Sequence, residues 1–277
     1  MPIRLLIADV DGTLVTTNKK LSPRTRDAAA RLHAAGVGFT ITSGRPPRGL
    51  VGLVKALELS APLAAFNGAI YIRPDMRTVL LQRTIPSVVA SDTVDYLIRN
   101  GMDAWVYRGA DWFVRDPNAF RVDRESTTVG FRPTVVPDLH AVLDAPLKIV
   151  AVSADRSLAA RCEQELQSRL GAAASAARSN ASYVDITHPD ANKGMVVRDA
   201  SRIFEIPVDE IATIGDMPND IPMLALAGVG IAMGNAGHEV QSVARHVTTS
   251  NDDDGFANAV EHFILRDRDA SGSPVPA

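Results

Sequence analysis

A chain of 277 residues, 46% hydrophobic and 22% charged, has room for one large or two modest cores, which excludes a disordered or fibrous chain. Its 29 basic and 32 acidic residues are well mixed and leave a net charge of −3, which excludes the one-sided basic footprint of a nucleic-acid-binding protein. The single cysteine, Cys162, excludes an internal disulfide; with no leader pattern and no apolar run of bilayer length, a cytoplasmic protein with no membrane partner is expected.

Residues 3–8 are short, apolar and β-rich, as in a strand buried on both faces of a parallel sheet, and they stop at Asp9, Asp11 and Gly12. Open α/β sheets bind ligands at the carboxyl ends of their strands. Two acids placed there repel each other unless a cation or a shared proton relieves them. Ser22-Pro23 then predicts a helix start, with the helix running to about residue 35 and closed by Gly36. A second strand (37–42) ends at Ser43-Gly44-Arg45, and a third (62–66) stops at Asn67-Gly68. This alternation predicts an α/β fold with a doubly wound, Rossmann-like parallel-sheet core.

Residues 70–72 and 79–82 read as a hairpin around Pro74-Asp75. From Pro86 the character changes: a helix (88–99), a hairpin (104–107 and 112–115), then strand 147–153, helix 158–170 and strand 183–187. Residues 85–185 are therefore expected to form an inserted α+β domain between core segments 1–84 and 186–265. The core pattern resumes at Asn192-Lys193-Gly194, which opens a helix to about residue 204. A strand (211–214) ends in Gly215-Asp216-Met217-Pro218-Asn219-Asp220, and helix, strand (229–233) and a last helix (256–265) follow. The acidic run 252–254 reads as N-terminal capping of that helix, and 266–277 as a disordered tail.

Phosphoryl transfer asks for an in-line nucleophile, a metal, and fixed charges or donors around the phosphate oxygens. Asp9, Asp11 and Asp216 are hard oxygen ligands suited to Mg²⁺. Ser43 offers a hydroxyl, Gly44 a backbone N–H, and Lys193 a charge near a helix N-terminus that already favours anions. Asn219 and Asp220 stand at the next helix start, where they can orient metal and phosphate. Each has an ordinary reading by itself: a turn after a strand, a solvated lysine, a helix cap.

Together these residues carry a resemblance. Asp9-Val10-Asp11-Gly12-Thr13 is similar to the first motif of the haloacid dehalogenase-like (HAD) phosphatases, and Ser43, Lys193 and Gly215-Asp216-Met217-Pro218-Asn219-Asp220 resemble the other three, in order and spacing. Ser43-Gly44-Arg45-Pro46, Asn67-Gly68-Ala69, Asn192-Lys193-Gly194 and Asn219-Asp220-Ile221-Pro222-Met223-Leu224 resemble its Cof-type branch, subclass IIB. The resemblance implies that Asp9 is the nucleophile, Asp11 the acid/base and Lys193 a catalytic cation. It implies Mg²⁺ held by Asp9, Asp11 and Asp216 with Asp220 behind them. Substrate phosphate would meet Ser43, Gly44, Arg45, Asn67, Asn192 and Asn219. The insert at 85–185 becomes a cap domain that reads the organic part of a small phosphorylated metabolite, hydrolysed through an aspartyl-phosphate. Ser43 stands where the family more often has Thr, and Met217-Pro218 where Gly-Glu is frequent; neither change removes a reacting group.

Three rivals stand beside this reading. One is a phosphomutase of the same superfamily. Another is a phosphoryl-receiver domain, although its phosphorylated Asp ends the third strand, where this chain has Asn67. The third is a non-catalytic binding protein. In the insert, Trp105, Tyr107 and Trp112 are either substrate contacts or core, with core favoured.

Overall fold

The computed structural model describes residues 2–266, so the expected tail lies, beyond Arg266, outside the described residues. The chain begins with β1 (Leu5–Asp9), α1 (Pro23–Ala34), β2 (Gly38–Thr42), α2 (Val51–Ala56), β3 (Leu63–Ala65), β4 (Ile70–Ile72) and β5 (Val79–Gln82). It then builds α3 (Ser87–Arg99), β6 (Asp103–Arg108), β7 (Asp111–Val114), α4 (Val122–Val129), β8 (Thr134–Val135), β9 (Lys148–Val152), α5 (Arg156–Leu170), β10 (Ser175–Asn180) and β11 (Tyr183–Thr187). Next come α6 (Lys193–Phe204), β12 (Ile211–Gly215), α7 (Ile221–Leu226) and β13 (Val229–Ala232). The last elements are α8 (His238–Gln241), β14 (His246–Val247) and α9 (Gly255–Ala259), the last continued by a π-helical turn, Val260–Leu265.

Two sheets result. The first has eight strands in the order β14-β13-β12-β1-β2-β3-β4-β5, parallel through β3 and closed by the antiparallel β4–β5 hairpin. β1 lies inside it with all five residues buried. Alternation sends Leu6 and Ala8 against Ala28, Ala29 and Leu32 of α1 and Phe256 of α9, while Leu5 and Ile7 meet Val196, Val197 and Ala200 of α6. That double burial is why the strand's sequence is a continuous apolar run. α1 starts where its signals stand: Ser22 accepts from the Thr25 N–H and Pro23 fills the first turn.

The second sheet, β10-β11-β9-β6-β7-β8, is antiparallel except for the β7–β8 pair. Val106, Ile149, Ala151, Val184 and Ile186 face α3 and α5. Trp105, Tyr107 and Trp112, on the opposite face, join the core cluster, and the Tyr107 ring lies 5.2 Å from that of Phe66. Both tryptophans are fully buried.

Some expectations need correction. β8, β10 and α4 were not expected. β10 is polar and mostly exposed, and α4 carries Ser126, Thr127 and Thr128, so neither announces itself by apolar periodicity. With β10 intervening after α5, β11 pairs antiparallel with β9. β11 runs to Thr187, so the expected boundary at 185 falls inside a strand. The acidic run does not cap α9: Asp254 makes no capping bond there. Instead Asp252 accepts from the Thr17 N–H (2.9 Å) and hydroxyl (2.7 Å), Asp254 from the Ser22 hydroxyl (2.7 Å), and Asp253 from that of Ser250 (2.6 Å). Asp252 and Asp254 thereby brace the loop that follows β1. Among the described residues no helix is long and apolar enough to cross a membrane.

Candidate active site

The carboxyl ends of β1, β2, β3 and β12 converge on one edge of the first sheet. At its centre, Lys193 is 1% exposed and donates at 2.5 Å to Asp9 and at 2.5 Å to Asp220. Asp220, fully buried, uses its other oxygen to accept the N–H groups of Asp216 and Met217, both at 2.9 Å. Asp216 accepts from the Thr13 hydroxyl (3.2 Å) and the Asn235 amide (3.3 Å). Oxygens of Asp9, Asp216 and Asp220 all lie within 4.8 Å of one another.

Three buried carboxylates thus share one ammonium, and the excess negative charge shows. Burial pushes the Asp9 carboxyl up to about 7, opposed by Lys193, and burial with the Asp220 charge pushes Asp216 up to about 6. Burial by itself would lower Lys193, but Asp9 and Asp220 outweigh it and hold the amine above its ordinary value, so it stays charged. An oxygen-only donor set with surplus negative charge fits a hard divalent cation. Asp220 spends its oxygens on Lys193 and two backbone N–H groups, which leaves Asp9 and Asp216 as the pair suited to hold one.

Beside this cluster the Ser43 hydroxyl, buried at the end of β2, accepts the Arg45 N–H at 3.2 Å, and the Ser43 carbonyl accepts the Asn67 N–H at 2.8 Å. The Asn219 amide reaches Asn67 Oδ1 at 3.5 Å, and the side of Gly44 faces the Asn67 amide. Phe66, Asn67 and Gly68 all have positive φ (50°, 55° and 99°), a strained run that persists only where surrounding contacts over-determine it.

Two expected site residues stand elsewhere. The Asp11 carboxylate does not join Asp9, Asp216 and Asp220, although its charge reaches Asp216; it is gripped by Arg45, whose Nε and Nη2 donate at 2.7 and 2.6 Å, and by Lys19 at 2.8 Å. Burial pushes this carboxyl up, but the two cations together hold it below its usual value. Asn192 caps α6: its Oδ1 accepts the Met195 N–H at 3.0 Å and its amide donates to the Pro189 carbonyl at 3.1 Å. Its side chain is engaged there and not at the cluster. Sequence reasoning missed the contacts of Thr13, Asn235 and Lys19. Thr13 lay inside the first motif and Asn235 in the break after β13, whereas Lys19 carried no signal.

Gly12 turns the chain after β1 with φ of +87°, and a Cβ there would run into the Asp216 carboxylate. Gly12→Ala is therefore expected to lower turnover by about 10²-fold, the effect of a misplacement on the order of 1 Å, and to raise the metal concentration for half-maximal rate. A metal titration of the variant checks it; wild-type metal dependence would refute the packing argument.

The family model for haloacid dehalogenase-like hydrolases matches residues 6–260. The chain belongs to this family. Within the haloacid dehalogenase-like hydrolases it is of the Cof type, and it is a phosphoric monoester hydrolase. It is 29% identical, over 94% of its length and 98% of the relative's, to a putative phosphatase of Haemophilus influenzae. It is also 29% identical, over 94% and 97%, to the 5-amino-6-(5-phospho-D-ribitylamino)uracil phosphatase of Bacillus subtilis. Among solved structures, a haloacid dehalogenase-like hydrolase from Bacteroides thetaiotaomicron superposes with TM-score 0.86 at 26% identity, covering 94% of this chain and 98% of that one. A HAD phosphatase, BT1666, of the same organism gives 0.81 at 28%, covering 95% of each chain. HAD enzymes use a divalent metal, which the acidic cluster matches.

Proposed function

We propose that this hydrolase is a Mg²⁺-dependent phosphatase of small phosphorylated metabolites, sugar phosphates or similar phosphomonoesters, working through an aspartyl-phosphate on Asp9. The observation that carries the reading is the buried Asp9–Lys193–Asp220 chain at the end of β1, beside Asp216 and the Ser43–Asn67 loops. The ribityl phosphate named for the Bacillus subtilis relative is a polyol phosphomonoester, which supports the substrate class.

In this reading Asp9 attacks phosphorus, and its new P–O bond forms as the bond to the leaving oxygen breaks. Lys193 holds Asp9 in one orientation and faces the developing charge, and Ser43, Asn67 and the Gly44 N–H serve the remaining phosphoryl oxygens. Once incoming phosphate draws Arg45 off Asp11, that carboxyl can carry a proton; it gives this proton to the leaving alkoxide, then takes one from the water that hydrolyses the aspartyl-phosphate, releasing inorganic phosphate and the free Asp9 carboxylate. Arg45, which grips Asp11 in the substrate-free site, gains a second anion to serve when phosphate enters. Mg²⁺, held by Asp9 and Asp216, would neutralise charge on the phosphoryl oxygens. The insert from 85 to the end of β11 at Thr187 acts as the cap domain that reads the leaving group, since the proposed reacting groups all lie outside it.

A panel of phosphorylated metabolites assayed for released phosphate tests this. Excess chelator is expected to lower the rate at least about 10²-fold, the scale of losing one electrostatic stabiliser, with recovery on adding Mg²⁺. Full activity in chelator would sink the metal assignment, and an isomerised hexose monophosphate in place of free phosphate would make the enzyme a mutase.

A further inference from the structure

The chain that leaves the first sheet after β5 carries a largely buried arginine outside the reaction described above. Arg83 and Asp199 form an ion pair, 11% and 5% exposed, with Nη1–Oδ2 at 2.8 Å and Nη2–Oδ1 at 3.0 Å. Nη1 also donates to the Gly68 carbonyl at 3.1 Å, and the Arg83 N–H donates to the Ala69 carbonyl at 2.7 Å. Arg83 therefore holds the strained 66–68 turn from its far side. Asp199 belongs to α6, the helix whose first residue is Lys193. The turn itself lies flat on that helix: a Cβ on Gly68 would meet Val196 Cγ2 at 2.8 Å, and the Tyr71 hydroxyl donates to the Val196 carbonyl at 2.6 Å.

In the left-handed run at Phe66, Asn67 and Gly68 one local bond, from the Ala69 N–H to the Phe66 carbonyl (3.2 Å), is joined by bonds from outside: the Phe66 N–H to the Arg45 carbonyl (3.1 Å), the Asn67 N–H to the Ser43 carbonyl (2.8 Å), and Arg83 to the Gly68 carbonyl on the far side. One guanidinium serves both the Gly68 carbonyl and Asp199, which sets the turn at a defined distance from α6. Arg83 also stands at the start of the segment running from β5 to α3, one of the two crossings between the sheets.

We infer that Arg83, paired with Asp199, is a positioning residue: it sets the 66–68 turn against α6 so that Asn67 faces the substrate phosphate alongside Lys193. The inference rests on the phosphate role given to Asn67 above. It requires no contact between Arg83 and substrate.

The test reads the inhibition constant for inorganic phosphate, with an aryl phosphate as substrate, together with the thermal midpoint. Three variants, and then a combination of two of them, are compared with wild type. Arg83→Lys keeps a cation beside Asp199 but offers no rigid fork to serve the carbonyl as well. The double variant Arg83→Met with Asp199→Leu replaces the ion pair by apolar groups, an exchange that is often neutral or stabilising. Asn67→Ala removes the phosphate contact itself. Loss of one hydrogen bond to a charged group corresponds to roughly tenfold. A rise of about tenfold in the inhibition constant is expected in all three, with the thermal midpoint of the double variant close to wild type, because the apolar exchange offsets the Gly68 carbonyl left without its donor. Adding Asn67→Ala to the double variant should cause little further change.

If Asn67→Ala weakens phosphate inhibition while both Arg83 variants leave it unchanged, the inference falls and the site reading stands. If Asn67→Ala leaves inhibition unchanged, the phosphate role of Asn67 is wrong and the inference falls with it. Additive effects in the combined variant would equally overturn it, because independent sites add and coupled ones do not.

Discussion

Asp9→Asn is expected to abolish turnover of every substrate, whereas Asp11→Asn, given an aryl phosphate, is expected to accumulate a phosphoryl group on Asp9. The two residues act at different steps. Asp9→Asn removes the nucleophile, so no phosphoenzyme forms. Asp11→Asn keeps the nucleophile but removes proton transfer, and a sugar alkoxide then leaves without its acid. An aryl oxide needs little protonation, so the first step survives while hydrolysis of the aspartyl-phosphate lacks its base. General acid–base help is worth about 10²–10⁴-fold, enough for breakdown to lag behind formation. Intact-mass measurement after rapid acid quench should find one added phosphoryl group, removed by hydroxylamine and absent from Asp9→Asn. A modification that persists in Asp9→Asn, or maps to another residue, would overturn the assignment of the nucleophile.

Lys193→Met should affect folding and catalysis together, for a reason visible in its surroundings. The ammonium is buried between Asp9 and Asp220. Without it, those carboxylates and Asp216 face one another with no cation inside the cluster. Removing one partner of a buried ion pair costs about 3–5 kcal/mol, a large part of a typical stability of about 5–15 kcal/mol. Turnover should fall by about 10²–10³-fold, the loss seen when one preorganised donor to developing charge is deleted. Mg²⁺ should raise the thermal midpoint of Lys193→Met more than that of wild type, since a bound cation relieves the unpaired carboxylates. Thermal melts with and without Mg²⁺, and kcat/KM for an aryl phosphate, check both halves. Near-wild-type turnover in a folded Lys193→Met protein would remove lysine from the mechanism.

The helix starts and the hairpin were legible because the signals are local. Ser22 and Asn192 cap the helices that follow them, and β4 and β5 occupy the residues read as a hairpin around Pro74-Asp75. β8, β10 and α4 were not legible, because exposed or polar elements bury too little to leave a period in the sequence. At the site, Asp9, Lys193, Asp216 and Asp220 were picked out separately by strand-end and helix-start positions. Their union depended on β1 pairing with β12 and on α6 packing beneath both, which brings Lys193 onto an aspartate 184 residues away.

The sequence by itself determined which chemistry is present: carboxylates after a buried strand, a hydroxyl, an asparagine and a lysine at element ends, and the α/β rhythm that sends those ends to one edge. Only the tertiary structure decided how each side chain is spent. Asn192 serves its own helix, Asp252 and Asp254 brace the loop after β1, Asp11 rests on Arg45 and Lys19, and Arg83 meets an aspartate 116 residues away. The physical reason is the difference in range between the two kinds of information. Strand and helix patterns follow from periods of two and 3.6 residues within one segment. The direction of a polar side chain follows from whichever partner the fold brings within about 3 Å, and in a buried setting an unmet donor or acceptor is costly, so most find one.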